Sequence, residues 1–174
     1  MTFIVGVLLL CYLVYVVWYM RQIQRDIYLL GVTDQGTGLL NSVAYGHFLK
    51  RNEERVFSPA ACIYIDANGL HELNNAQGHE AGDRMLRTVA DHLKEQFPED
   101  GIYRVGGDEF VVFPSKADQG ECETRMRVVS DKLTALGYSI SHGIAICAST
   151  TGLRELVRDA DEQMLANKRA YYAT

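Results

Sequence analysis

Three carboxylates decide what chemistry this chain can offer. Asp66 closes a short apolar run, Ala60-Ala61-Cys62-Ile63-Tyr64-Ile65, while Asp108 and Glu109 follow Gly106-Gly107 between the apolar runs 102–105 and 110–113. A buried strand that ends on an acid delivers it to the rim of a sheet. Period-2 runs around a Gly-Gly-Asp centre read as a β-hairpin. If strand and hairpin are neighbours in one sheet, the three acids converge at its edge. Such a cluster repels itself unless cations neutralise it, and hard oxygen ligands suit Mg²⁺ or Mn²⁺. A pair of these ions binds a triphosphate, lowers the pKa of an attacking hydroxyl and stabilises a leaving group. Gly106 and Gly107 carry no Cβ and let backbone approach a ligand closely. Each feature alone has a plainer reading: Asp66 as the cap of a following helix, the hairpin as a solvated turn.

The elements that must position these residues follow from the rest of the chain. Its 174 residues suffice for one ordinary domain with its own core. Every charge lies at Arg21 or later, so the net charge of −5 belongs to residues 21–174. That mildly acidic balance argues against a nucleic-acid partner, which would want a basic surface. Cys11, Cys62, Cys122 and Cys147 show no paired or metal-like spacing and suit a reducing cytosol. A helix is expected over 43–51, another over 81–97, and a weakly amphipathic one over 118–136. Residues 138–147 read as a strand, and Ala160-Asp161 as the opening of a last helix that carries Lys168. Strands separated by helices, with one tight hairpin, give an α/β layered domain.

Residues 3–20 form an uninterrupted charge-free run, about 27 Å long as a helix and close to the thickness of a bilayer core. Tyr15, Trp18 and Tyr19 gather at its end, where an interfacial aromatic belt belongs. A secretory signal would want a basic start and a small-residue cleavage site, and neither is visible; a buried core helix is the bland alternative. Arg21 and Arg25 follow directly, so the positive-inside bias puts the remaining chain in the cytosol. The expectation is a single-pass anchor in the inner membrane, with residues 1–30 as membrane helix and stalk and 31–174 as the domain. Only Met1 and Thr2 precede the run, so no periplasmic sensor is expected. Ile23, Ile27 and Leu30 continue an apolar stripe that either brings two chains together or lies against the domain.

The stretch Arg104-Val105-Gly106-Gly107-Asp108-Glu109-Phe110 resembles the signature of the GGDEF family, the diguanylate cyclases. Asp34, Thr37, Gly38, Leu39 and Asn41 are similar to its Asp-x-Leu-Thr-Gly-Leu-x-Asn segment, and Asp66, Asn74, Gly78, His79, Gly82 and Asp83 fall in register with its next two motifs. Ser141-His142-Gly143-Ile144-Ala145 is similar to its Ser-x-Gly-x-Ala strand. The resemblance implies the palm-like mixed sheet of nucleotidyl cyclases, flanked by helices, and condensation of two GTP into cyclic di-GMP by a homodimer, at least transiently formed. It also implies roles. Asp66 and Asp108 hold Mg²⁺ or Mn²⁺ with the Ala67 carbonyl, and Glu109 helps hold metal or activates the 3′-hydroxyl. The amides of Gly69 and Leu70 cradle terminal phosphates, Asn74 and Asp83 read guanine, and Lys168 neutralises phosphate charge.

Several residues depart from that pattern. His71 stands in place of Lys and weakens a phosphate contact or makes it pH-sensitive. Asn68 and Asn75 each replace an Asp, and Tyr172 stands where the family has Arg. At the family's inhibitory product motif, Arg-x-x-Asp, the chain reads Phe97-Pro98-Glu99-Asp100, so no product inhibition of that kind is expected. Two further readings stay open: a degenerate domain of the same fold that binds GTP or signals by protein contact, and a tethered interaction module with no nucleotide role.

Overall fold

A computed structural model describes residues 2–173, so Met1 and Thr174, the outer ends of the two expected segments, lie outside it. The order is α1 (Thr2–Val32), α2 (Ser42–Arg51), β1 (Val56–Phe57), β2 (Ala60–Asn68), α3 (Leu70–Gln77), α4 (His79–Gln96), β3 (Gly101–Arg104), β4 (Glu109–Phe113), α5 (Gln119–Ala135), β5 (Ser139–Cys147), β6 (Thr150–Thr151) and α6 (Arg154–Tyr172). Four strands form one sheet in the order β3-β4-β2-β5, and β1 pairs with β6 apart from it. All named ladders are antiparallel. A parallel bridge from Leu40 to Tyr103 makes the sheet mixed.

β2 is central because both its faces are covered. Alternation sends Ile63, Ile65 and Ala67 to one side, among Val89 and Leu93 of α4 and Met126 and Val129 of α5. Cys62 faces the other side, with Val111, Phe113, Ala145, Leu156 and Ala160, and with Phe48 of α2 against them. Helices thus sandwich the sheet, and full burial of a side chain such as Ile63 or Ile65 stabilises the fold by about 1.5–3 kcal/mol. Even-numbered β2 residues look toward α6, and Asp66 is one of them. This parity aims the acid at Lys168.

Local chemistry sets the element ends. Asn41 Oδ1 caps α2 by accepting from the amides of Val43 and Ala44, at 3.0 and 3.1 Å. Its Nδ2 donates to the Gly31 carbonyl at 3.0 Å and so ties the end of α1 to α2. Asp118 caps α5 through the Glu121 amide. Two helices differ from the sequence expectation. α3, Leu-His-Glu-Leu-Asn-Asn-Ala-Gln, is a full helix where no helix is predicted, since its eight residues are mostly polar. The last helix begins at Arg154 rather than at Ala160-Asp161, because Leu153 at its start offers no side-chain cap to mark it.

α1 stands apart from both cores. Leu8, Leu9, Tyr12 and Leu13 are exposed, while Val32 at its end is buried. The segment Gly6–Val32, with mean hydropathy 1.5, is long and apolar enough to cross a membrane.

Candidate active site

The three acidic residues lie at one end of the β2–β4 ladder. Asp66 pairs with Glu109 across it, and directly paired residues of antiparallel strands project from the same face. Beyond the ladder, the Ala67 amide donates to the Asp108 carbonyl at 2.9 Å, which fixes the hairpin turn against the end of β2. Asp66 is 3% exposed. Its Oδ2 accepts from Lys168 Nζ at 2.6 Å. Its Oδ1 is buried without a partner. Glu109 is half-buried, and its side chain lies back over Gly106.

Burial pushes the Asp66 carboxyl above its usual range and the Asp108 charge adds to this, against the pull of Lys168. Glu109 is raised as well, by burial first and then by Asp108 and Asp66. Burial pulls the Lys168 ammonium down, but its bond to Asp66 and the surrounding acids outweigh that and hold it high. Excess negative charge therefore sits at this edge with one ammonium against it. Among the described residues no three His, Cys, Asp or Glu side chains draw close enough to enclose an ion by themselves. The donor set still fits a hard cation: a buried carboxylate oxygen with nothing bonded to it, two more acids beside it, and the nearby backbone carbonyl of Ala67. An unpartnered buried carboxylate oxygen is costly, and a divalent ion would satisfy it.

The remaining candidate residues line up beyond β2. Gly69 takes a left-handed backbone, φ 74°, and delivers its amide and that of Leu70 to the start of α3. That Gly69 amide donates to Tyr172 Oη at 3.3 Å. His71 is exposed, and its Nε2 lies 3.0 Å from Nδ2 of Asn75, so two of the substituted positions of the motif pair with each other one helical turn apart. Asn74 Oδ1 is buried and unpartnered. Gly82 lies opposite it, and a Cβ there would crowd the Asn74 amide, whose Cγ would stand 2.9 Å away. Asp83, next along α4, is exposed. Gly107 is exposed at the hairpin tip. Asn68 stays clear of the acids: it donates to Ser139 Oγ and accepts from Ser141 Oγ, each at 3.0 Å. A neutral amide can do both, and a carboxylate could not.

Two positioning groups carry no role in the sequence reading. Arg104 Nη1 donates to Asp34 Oδ1 at 3.0 Å and Nη2 to the Gly107 carbonyl at 2.7 Å, tying the 33–41 segment to the hairpin tip. The motif offers Arg104 and Asp34 as similarities, but their contact spans 70 positions. On the far edge, Gln163 Oε1 accepts from the Ile144 amide at 3.3 Å and Asn167 Nδ2 donates to the His142 carbonyl at 2.6 Å. These bonds staple α6 to β5 and set the register that delivers Lys168.

The arrangement has close counterparts among known proteins. The family model described as "Diguanylate cyclase, GGDEF domain" matches residues 32–172. Over 147 residues the chain is 30% identical to the diguanylate cyclase DosC of Escherichia coli (strain K12), covering 76% of this chain and 32% of that protein. It is 32% identical over 143 residues to the cyclic di-GMP phosphodiesterase PdeB of Shewanella oneidensis, covering 76% of this chain and 17% of that one. The chain thus spans a third or less of the length of these curated relatives. A cyclase and a phosphodiesterase both match, so the likeness reaches cyclic di-GMP signalling as a family rather than one activity. In structure, the coiled coil and GGDEF domain of DgcB from Caulobacter crescentus, solved in complex with c-di-GMP, superposes with a TM-score of 0.82 at 21% identity, covering 92% of this chain and 93% of that one. The GGDEF domain of TpbB (YfiN) from Pseudomonas aeruginosa gives 0.67 at 27% identity, covering 79% and 89%. With a family match over most of its length and the same sheet under its acids, the chain belongs to the diguanylate cyclase, GGDEF-domain family.

Proposed function

We propose that this chain is a membrane-anchored diguanylate cyclase that condenses two GTP into cyclic di-GMP and two pyrophosphates. The observation that carries the reading is the buried, unpartnered Asp66 Oδ1 beside Glu109 and Asp108. Asp66 and Asp108, with the Ala67 carbonyl, would hold Mg²⁺ or Mn²⁺, and Glu109 completes the set. Bound there, the ions supply neutralising charge and Lewis acidity for phosphoryl transfer. The chain's own groups do the rest. Asn74 and Asp83 orient guanine, Asp83 accepting from its ring N–H and amino group, a pair of donors that adenine lacks. The amides of Gly69 and Leu70 point at the terminal phosphates, Gly107 lets backbone come close to the chain of phosphates, and His71 and Lys168 add positive charge. Each 3′-oxygen attacks the α-phosphorus of the opposite GTP, the bond to the leaving pyrophosphate breaks, and Glu109 takes the hydroxyl proton. Two domains must face each other, so the working unit is a homodimer.

α1 would hold both copies in the inner membrane, which raises their effective concentration for that encounter. A second reading, a degenerate domain that regulates by binding, is favoured by one observation: Lys168 already neutralises Asp66 and Tyr172 already covers the Gly69 amide. Turnover separates the two. Membranes bearing the full chain, washed with alkaline carbonate, should convert GTP to cyclic di-GMP with Mg²⁺ or Mn²⁺, and the Asp108→Ala chain should lose at least about 100-fold. GTP binding without product favours the degenerate reading. Recovery of the protein in the carbonate supernatant would end the anchor.

A further inference from the structure

The last turn of α6 reaches the end of β2 and the start of α3. Lys168 grips Asp66, and one turn later Tyr172 accepts a hydrogen bond from the Gly69 amide at 3.3 Å. Gly69 opens α3, where backbone amides have no acceptor within the helix, and its N–H turns outward to the Tyr172 oxygen. A helix start alone names no ligand. The second observation is Asp66, 3% exposed, whose Oδ1 is buried and unpartnered two residues after Tyr64 and three before Gly69. Lys168 and Tyr172 stand one turn apart on one face of α6, so the carboxylate and the amide that they hold are neighbours along it, and an anionic oxygen without a hydrogen-bond partner near an amide held by a phenol is the complement of a cation carrying a phosphate.

We propose that Tyr172 is a specificity-determining residue that sets how long a phosphate chain the site accepts. This rests on the reading above, in which the Gly69 end takes the terminal phosphates. The phenol oxygen fills the acceptor place on the Gly69 amide that the last phosphate of a triphosphate needs. A shorter diphosphate leaves that place to Tyr172 and binds without disturbing it. Displacement is feasible: Tyr172 is 58% exposed, so its ring has room to swing away. A phosphate oxygen is also the stronger acceptor, because its bond to the amide is charge-assisted. Wild-type protein therefore discriminates weakly between triphosphate and diphosphate.

Calorimetry on the detergent-solubilised full chain tests this, with Mn²⁺ and three ligands: GTP, GDP and inorganic tripolyphosphate. Tyr172→Phe should tighten GTP and tripolyphosphate about three- to tenfold and change GDP by less than about twofold, as loss of one competing neutral hydrogen bond requires. Tyr172→Arg, which puts a guanidinium there, should widen the gap between GTP and GDP further. Equal gains for GTP and GDP, or no gain for GTP and tripolyphosphate, would overturn the assignment. If GTP fails to bind while tripolyphosphate still tightens in Tyr172→Phe, the role of Tyr172 stands and the guanine reading falls. If no ligand binds any of the three proteins, both fall.

Discussion

Glu109 faces Asp66 across the β2–β4 ladder, and burial together with Asp108 and Asp66 keeps its carboxyl above the ordinary value of 4.5. A carboxyl raised on folding binds more protons when folded. Stability is then full below the unfolded pKa and is lost as pH rises through the folded one. Glu109→Gln removes that loss, so the metal-free protein should melt about 1–3 °C higher at neutral pH than wild type, with a flatter dependence on pH above the ordinary carboxylate range. Scanning calorimetry across that range checks it, and a variant that melts lower at neutral pH would show that Glu109 is not under electrostatic strain. The acids themselves are legible in the sequence, because a strand-end Asp and a Gly-Gly-Asp-Glu turn are local patterns. What binds them is not. Lys168 reaches Asp66 across 102 positions, and no spacing rule predicts that distance. Asn68 reads as a lost charge until Ser139 and Ser141 are seen on either side of it.

At the scale of elements, α6 is the part that brings cation and acids together, and it lies on β5 through Gly143. A Cβ there would run into the Ala160 carbonyl, the Met164 amide and Gln163 Cβ, the last at 2.7 Å. Backbone cannot rotate aside as a flexible side chain can, so Gly143→Ala must push α6 outward. The expected cost is about 1–3 kcal/mol, with a lower urea midpoint, and Lys168 should withdraw from Asp66. An unchanged midpoint would mean that α6 is loosely seated and does not register Lys168. The sheet strands and α2, α4 and α5 are legible from apolar periodicity, and the hairpin from its turn. α3 is hidden by its polarity and shortness, and the true start of α6 by the absence of any cap on Leu153. β1 and β6, two residues each, are too short to carry a pattern.

Across the whole molecule, an exposed apolar helix leads into a domain whose acids gather at one sheet edge. Asn41 joins the two parts, capping α2 while it holds the Gly31 carbonyl at the end of α1. The fold class and family are legible in the sequence, because the motifs carry both. Only the folded structure brings Lys168 onto Asp66 and Tyr172 onto Gly69. In the proposed reaction, cations held at this end of the sheet are what bind guanosine triphosphate. Its most direct test is GTP binding to the full chain with Mn²⁺ and with chelator, beside ATP and beside the Asp66→Asn chain. Saturable GTP binding that requires Mn²⁺ is expected, at least about tenfold tighter than ATP and lost in Asp66→Asn. GTP binding that is equal in chelator, or undiminished in Asp66→Asn, would contradict it.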